Sequence, residues 1–156
     1  MGYQSESGPW RNFYLTGARE LREGVTELPV PNTASPDTIR AMPIDMFFDF
    51  LGVRLNGDRA AGKTIEISME LTDMNEKYVV SVENSAIHYS KDKSAPSADV
   101  TIVTTREALN DVMLGTSTME KQVVEGKAKL TGDPKKLSDF VGLLDNFQFW
   151  FNIVTA

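Results

Sequence analysis

Residues 65–71, Ile-Glu-Ile-Ser-Met-Glu-Leu, alternate apolar and polar side chains without a break. No other part of the chain constrains the fold as strongly. Period two puts Ile65, Ile67, Met69 and Leu71 on one face of a strand and Glu66, Ser68 and Glu70 on the other. A sheet with one covered and one wet face follows. Asp73-Met74-Asn75-Glu76 reads as a turn into a second strand, Lys77 to Glu83, with Tyr78, Val80 and Val82 inward. Asn84-Ser85 turns the chain into a third strand around Ile87 and Tyr89. Three strands with such short connections make an antiparallel meander. After a polar loop, Lys91 to Ala98, come a fourth strand, Asp99 to Thr104, and a fifth, Lys127 to Thr131.

Helices are expected around this sheet. Trp10 to Glu23 carries an apolar stripe of Trp10, Tyr14, Gly17, Ala18 and Leu21, continued by Val25, at helical spacing. Thr26 to Pro36, with Pro29, Pro31 and Pro36, reads as a linker. Ser35-Pro36 is an N-cap followed by proline, and Pro43 opens a helix running to Leu55, closed by Asn56-Gly57. That helix has two apolar stripes, Ile44, Phe47, Phe48, Leu51 and Leu55 beside Met46, Phe50 and Val53. Thr104 to Glu107 and Ser117 to Glu120 have the capping-box pattern of two short helices, and Asp133-Pro134 caps a last one. The expectation is an α+β fold: a five-stranded, mostly antiparallel sheet covered by helices on one face, with an extra N-terminal helix. Residues 1–34 form the helix and Pro-rich linker, and residues 35–156 the main domain.

Composition excludes several classes of function. A net charge of −6, from 16 basic and 22 acidic residues, opposes nucleic-acid binding. No apolar run approaches the roughly 20 residues that span a bilayer. Met1 to Pro9 lacks the basic and apolar regions of an export signal. With no cysteine there is neither a disulfide nor a thiolate metal site. The single histidine, His88, lies on the polar side of the third strand, so a solvated imidazole is expected and no catalytic residue, metal or cofactor is called for. Gly57-Asp58-Arg59-Ala60-Ala61-Gly62-Lys63-Thr64 matches the phosphate-loop formula, but that chemistry needs a strand before the loop and a helix after it. Here a helix precedes and a strand follows.

Two apolar features admit more than one reading. The second face of the helix ending at Leu55 either packs against neighbouring elements or lines a ligand cavity. Met42, Met46, Met69, Met113 and Met119 lie near the candidate core, where flexible thioethers suit varied ligands. Phe147, Phe149, Trp150 and Phe151 either complete the core, cover a pocket or form a patch for a partner.

The run SPDTIRAMPIDMFFDFLGVRLNGDRAAG, Ser35 to Gly62, resembles the C-terminal domain of bacterial alkylsulfatases, the metallo-β-lactamase-type enzymes that hydrolyse alkyl sulfate esters. The likeness continues to GKAKLTGDPKKLSDFVGLLDNFQFWFNIVTA, Gly126 to Ala156, and SGPWRNFYLTGARELREGV, Ser7 to Val25, is similar to the segment preceding that domain. The resemblance implies a sterol carrier protein type 2-like fold enclosing an apolar tunnel. It also implies binding of a lipid or alkyl sulfate chain as the substrate-recruiting domain of an alkylsulfatase. The family's histidine-rich di-zinc motif matches nothing here, so no catalytic residue is carried over. The implied partners are an aliphatic small molecule, an alkylsulfatase catalytic domain, and a second copy through the Trp10–Glu23 helix. Periodicity and facing put Phe47, Phe50, Leu51, Val112, Met119, Val123, Phe140 and Leu144 on the tunnel wall. Arg54 is either a partner for an anionic head group or half of a surface ion pair. The rival reading is a structural or dimerisation module that encloses no ligand.

Overall fold

A computed structural model describes residues 1–29, 35–93, 95–148 and 150–154. They fall in two compact units: Met1–Asn32 with Phe147–Ala156, and Thr33–Asn146. Residues 30–34 of the expected linker and Phe149 of the aromatic tail lie outside the described residues.

The larger unit is an α+β fold on a five-stranded mixed sheet. Its strands are β1 (Ile65–Leu71), β2 (Glu76–Glu83), β3 (Ala86–Lys91), β4 (Val100–Thr104) and β5 (Ala128–Gly132). The order is β3-β2-β1-β4-β5; only the β1–β4 pair is parallel, because the chain crosses from the β3 edge to the far side of β1. Asn84 and Ser85 both take positive φ, 50° and 60°, the geometry that lets a two-residue turn follow the twist of its strands. Register aligns the apolar rows: Ile67 stands beside Val80 and Val100, and Met69 beside Tyr78 and Ile102. These rows are buried, and the intervening residues are partly exposed.

Among the described residues six helices accompany the sheet, and side-chain caps start most of them. The Ser35 hydroxyl accepts the Thr38 N–H at the start of α2 (Pro36–Ala41), and α3 spans Ile44–Arg54. Asn56-Gly57 does not simply close α3. The Asn56 side chain accepts the Arg59 N–H and opens a further turn, α4 (Gly57–Ala60). The phosphate-loop-like run is therefore a helical turn leading into β1. Two expected caps move by one residue. Thr104 is buried at the end of β4 and donates to the Lys127 carbonyl, leaving Thr105 to cap α5 (Arg106–Met113). Thr118, not Ser117, caps α6 (Met119–Val124). Asp133 caps α7 (Pro134–Gly142). His88 is exposed on β3.

The core lies between the apolar sheet face and the helices. Phe48 is 1% exposed, with its ring centroid 5.1 Å from that of Tyr78 and 5.0 Å from that of Tyr89. Tyr78 is fully buried and donates its hydroxyl to Glu76, which also pairs with Lys91. The second stripe of α3 differs from the expected double burial. Met46, Phe50 and Val53 are all exposed.

In the smaller unit, α1 (Gly8–Glu23) follows a 3₁₀ turn, Gly2–Gln4. A Cβ on Gly17 would come within 2.8 Å of Val154 Cγ2, the Glu20 carboxylate accepts the Ile153 N–H, and the Trp150 indole donates to the Leu28 carbonyl. Trp10, Phe13, Tyr14 and Leu21 remain exposed, as do Phe147 and Phe151, so these two phenylalanines do not complete a core.

Gly132 carries the tightest backbone approach. Its φ is +102°, and a Cβ there would stand 2.3 Å from the Asp99 carbonyl oxygen. Gly132→Ala is expected to cost about 2 kcal/mol or more. Calorimetry should show the melting temperature falling by roughly 5 °C or more; an unchanged melting temperature would contradict this close approach.

Candidate functional site

α3 packs over β3, α7 over β1 and β4, and α6 beside β5. A cavity of about 770 Å³ occupies the space left between them, inside the range of small-molecule sites. Its floor is the sheet: Ile67 and Met69 of β1, Val80 of β2, Ile102 of β4 and Leu130 of β5. One wall is α3, with Phe47, Phe48, Phe50, Leu51 and Arg54. The facing wall is α7 and the residues after it, with Leu137, Phe140, Val141 and Leu144. α5 adds Leu109, Val112 and Met113, α6 adds Met119, Val123 and Val124, and α2 adds Ile39. An antiparallel bridge between Leu55 and Leu144 joins the far ends of the two walls. Phe50, Val123, Val124 and Val141 are exposed as well as lining, so the cavity opens to solvent among α3, α6 and α7.

All eight expected lining residues, Phe47, Phe50, Leu51, Val112, Met119, Val123, Phe140 and Leu144, stand on this wall. Of the second α3 stripe only Phe50 does; Met46 and Val53 face elsewhere and are exposed. The sheet residues of the floor and Leu109, Leu137 and Val141 line it beyond the expected set, and the inward phase of each strand and helix is the signal that marks them. Met69, Met113 and Met119 belong to the cavity, and Met42 packs against the core.

Arg54, Glu120 and Ser138 are the wall's polar side chains among the described residues. Glu120 is held below the usual carboxylate range by its own backbone N–H and the Thr118 hydroxyl, within the α6 cap. Arg54 donates Nε to the Asp145 carbonyl at 2.8 Å and Nη2 to Asn146 Oδ1 at 2.6 Å, and its guanidinium lies 5.7 Å from the Phe50 ring centroid. Behind the wall, Arg106 lies over the Phe47 ring and donates to the Ile39 and Met42 carbonyls; burial lowers its pKa. Among the described residues no group of three or more His, Cys, Asp or Glu side chains could hold a metal ion. No described helix is long and apolar enough to cross a membrane. Chemically, the site is a hydrocarbon-sized hollow with one guanidinium on its wall.

Residues 32–156 match the profile of the family described as alkyl sulfatase C-terminal. A linear primary-alkylsulfatase from Pseudomonas sp. is 50% identical over 155 residues, which cover 99% of this chain and 23% of that protein. An (R)-specific secondary-alkylsulfatase from Pseudomonas sp. is 36% identical over 99% of this chain and 23% of its own length. The solved structure of a stereoselective inverting sec-alkylsulfatase from Pseudomonas sp. superposes with a TM-score of 0.70 at 36% identity. That match covers 94% of this chain and 23% of the solved one. The chain thus spans about a quarter of the length of these relatives.

Proposed function

The chain belongs to the alkyl sulfatase C-terminal family, and from that premise we propose that its cavity holds the aliphatic chain of a lipid or alkyl sulfate. In this reading the domain, sterol-carrier-like in its tunnel, recruits substrate for sulfate-ester hydrolysis. The hydrolysis itself belongs to a catalytic domain of an alkylsulfatase. One observation carries the proposal: a solvent-connected cavity of about 770 Å³ whose wall is almost wholly apolar. Phe47, Phe50, Leu51, Val112, Met119, Val123, Phe140 and Leu144 are its proposed contacts with the chain.

The driving force is transfer of methylenes from water, about 0.8 kcal/mol each before ordering costs. Neither a directional contact nor a titrating group is needed along the aliphatic chain, so that part of the ligand is selected by length. Methionines at positions 69, 113 and 119 let the wall adjust to different chains.

A second reading draws on the smaller unit. Trp10, Phe13, Tyr14 and Leu21 of α1 expose a broad apolar face, and faces of this kind mark interfaces. We assign that face to assembly with a second copy. Sedimentation should give twice the chain mass at micromolar concentration, reverting to one on Trp10→Ser with Phe13→Ser; a monomeric parent chain would refute the assignment.

The chain-binding proposal is tested by titrating octyl, decyl and dodecyl sulfate below their micelle concentrations. Saturation at one ligand per chain is expected, with the dissociation constant falling roughly fourfold per added methylene. Val112→Trp, which fills the cavity, should abolish binding while the protein still melts cooperatively. A folded wild-type chain that binds none of the three, or a variant that binds as well as the parent, would overturn the proposal.

A further inference from the structure

Arg54 stands on the wall of an apolar cavity, and among the described residues no carboxylate balances it. The neighbouring carboxylate, Asp145, is taken by Arg59 and by the Asn56 amide, and Arg54 receives only neutral acceptors, the Asp145 carbonyl and the Asn146 amide oxygen. None of the ion pairs among the described residues includes Arg54. The other described charge on the wall, Glu120, is turned into the α6 cap. Two hydrogen bonds and the Phe50 ring hold the guanidinium in place, leaving Nη1 with no hydrogen bond among the described residues. A planar fork fixed on one edge and free at Nη1 is preorganised for an oxyanion, because little side-chain entropy remains to be lost on binding. The guanidinium is half-buried beside Phe50, where the cavity meets solvent, so water screens its charge only in part.

We propose that Arg54 is the head-group residue of this cavity and makes it selective for anionic amphiphiles. Its Nη1 donates to the oxyanion (sulfate, sulfonate or carboxylate) of a ligand whose chain occupies the apolar wall. This rests on the chain-binding role of the cavity and adds what lies at the polar end of the ligand. Phe50, beneath the guanidinium, has two contacts to make: the cation on its face and the first methylenes of the chain. A purely structural Arg54 would only tie the end of α3 to the segment after α7 and would ignore the head group of the ligand.

The test compares three ten-carbon ligands, decyl sulfate, decanoate at neutral pH and 1-decanol, by calorimetric titration of the full chain. Both anions are expected to bind roughly tenfold or more tighter than the alcohol. In Arg54→Met, which keeps the stem and removes the charge, that preference collapses to about one; in Arg54→Lys part of it survives. Equal binding of all three to the wild-type chain, or an Arg54→Met chain that keeps the preference, overturns the assignment of Arg54 while leaving the cavity's chain-binding role intact. Because the wild-type comparison decides by itself, a variant that fails to fold does not rescue the proposal. If none of the three binds, the chain-binding role falls and this inference falls with it.

Discussion

The contact of Phe48 with Tyr78 and Tyr89 fixes where α3 can stand. Its ring sits about 5 Å from both tyrosine rings and is buried almost completely, so α3 is seated on the β2–β3 side of the sheet. α7 packs over β1 and β4. In the gap between the two helices, Ile67, Met69, Val80, Ile102 and Leu130 of the sheet line the cavity. Aromatic side chains are large and stiff, so the gap is not closed by small rotations about the anchor. The bridge between Leu55 and Leu144 ties the end of α3 to the segment after α7.

A gap of that kind decides what the domain can do. Its lining must be apolar, because the same residues form the roof of the core. Phe47, Phe48 and Phe140 are buried on the core side and also line the cavity. The proposed function thus draws on packing left undone by the fold, not on a site added to it. Arg54 is the exception, a charged residue at the end of the helix whose other end carries the core anchors. It is held by neutral acceptors when a carboxylate lies close by in Asp145.

Much of this was legible in the sequence, for physical reasons. The alternation at Ile65–Leu71 gave β1 without a shift because strand periodicity is local, and Asn84-Ser85 marked the hairpin because few residues tolerate positive φ. Cavity residues on α3, α5, α6 and α7 could be named from helical facing alone. Less was legible where long-range contacts decide. Thr104 and Thr105 are equally good caps locally, and only burial of Thr104 against the Lys127 carbonyl selects Thr105. The solvent exposure of Met46 and Val53 follows from how α3 is seated by Phe48, which no local pattern encodes. Whether Arg54 was ion-paired also depended on residues some ninety positions away in the chain.

The most direct test of the central claim, that the gap between α3 and α7 is where an alkyl chain lies, is methyl NMR with a spin-labelled fatty acid. Methyl groups of Leu109, Val112, Met113, Met119 and Leu130 should broaden in proportion to occupancy and recover on adding excess dodecyl sulfate. In Val112→Trp, whose indole fills the cavity, the remaining groups should stay sharp. No broadening of these groups at saturating probe, or equal broadening in Val112→Trp, would contradict the account and make the cavity a packing gap with no ligand.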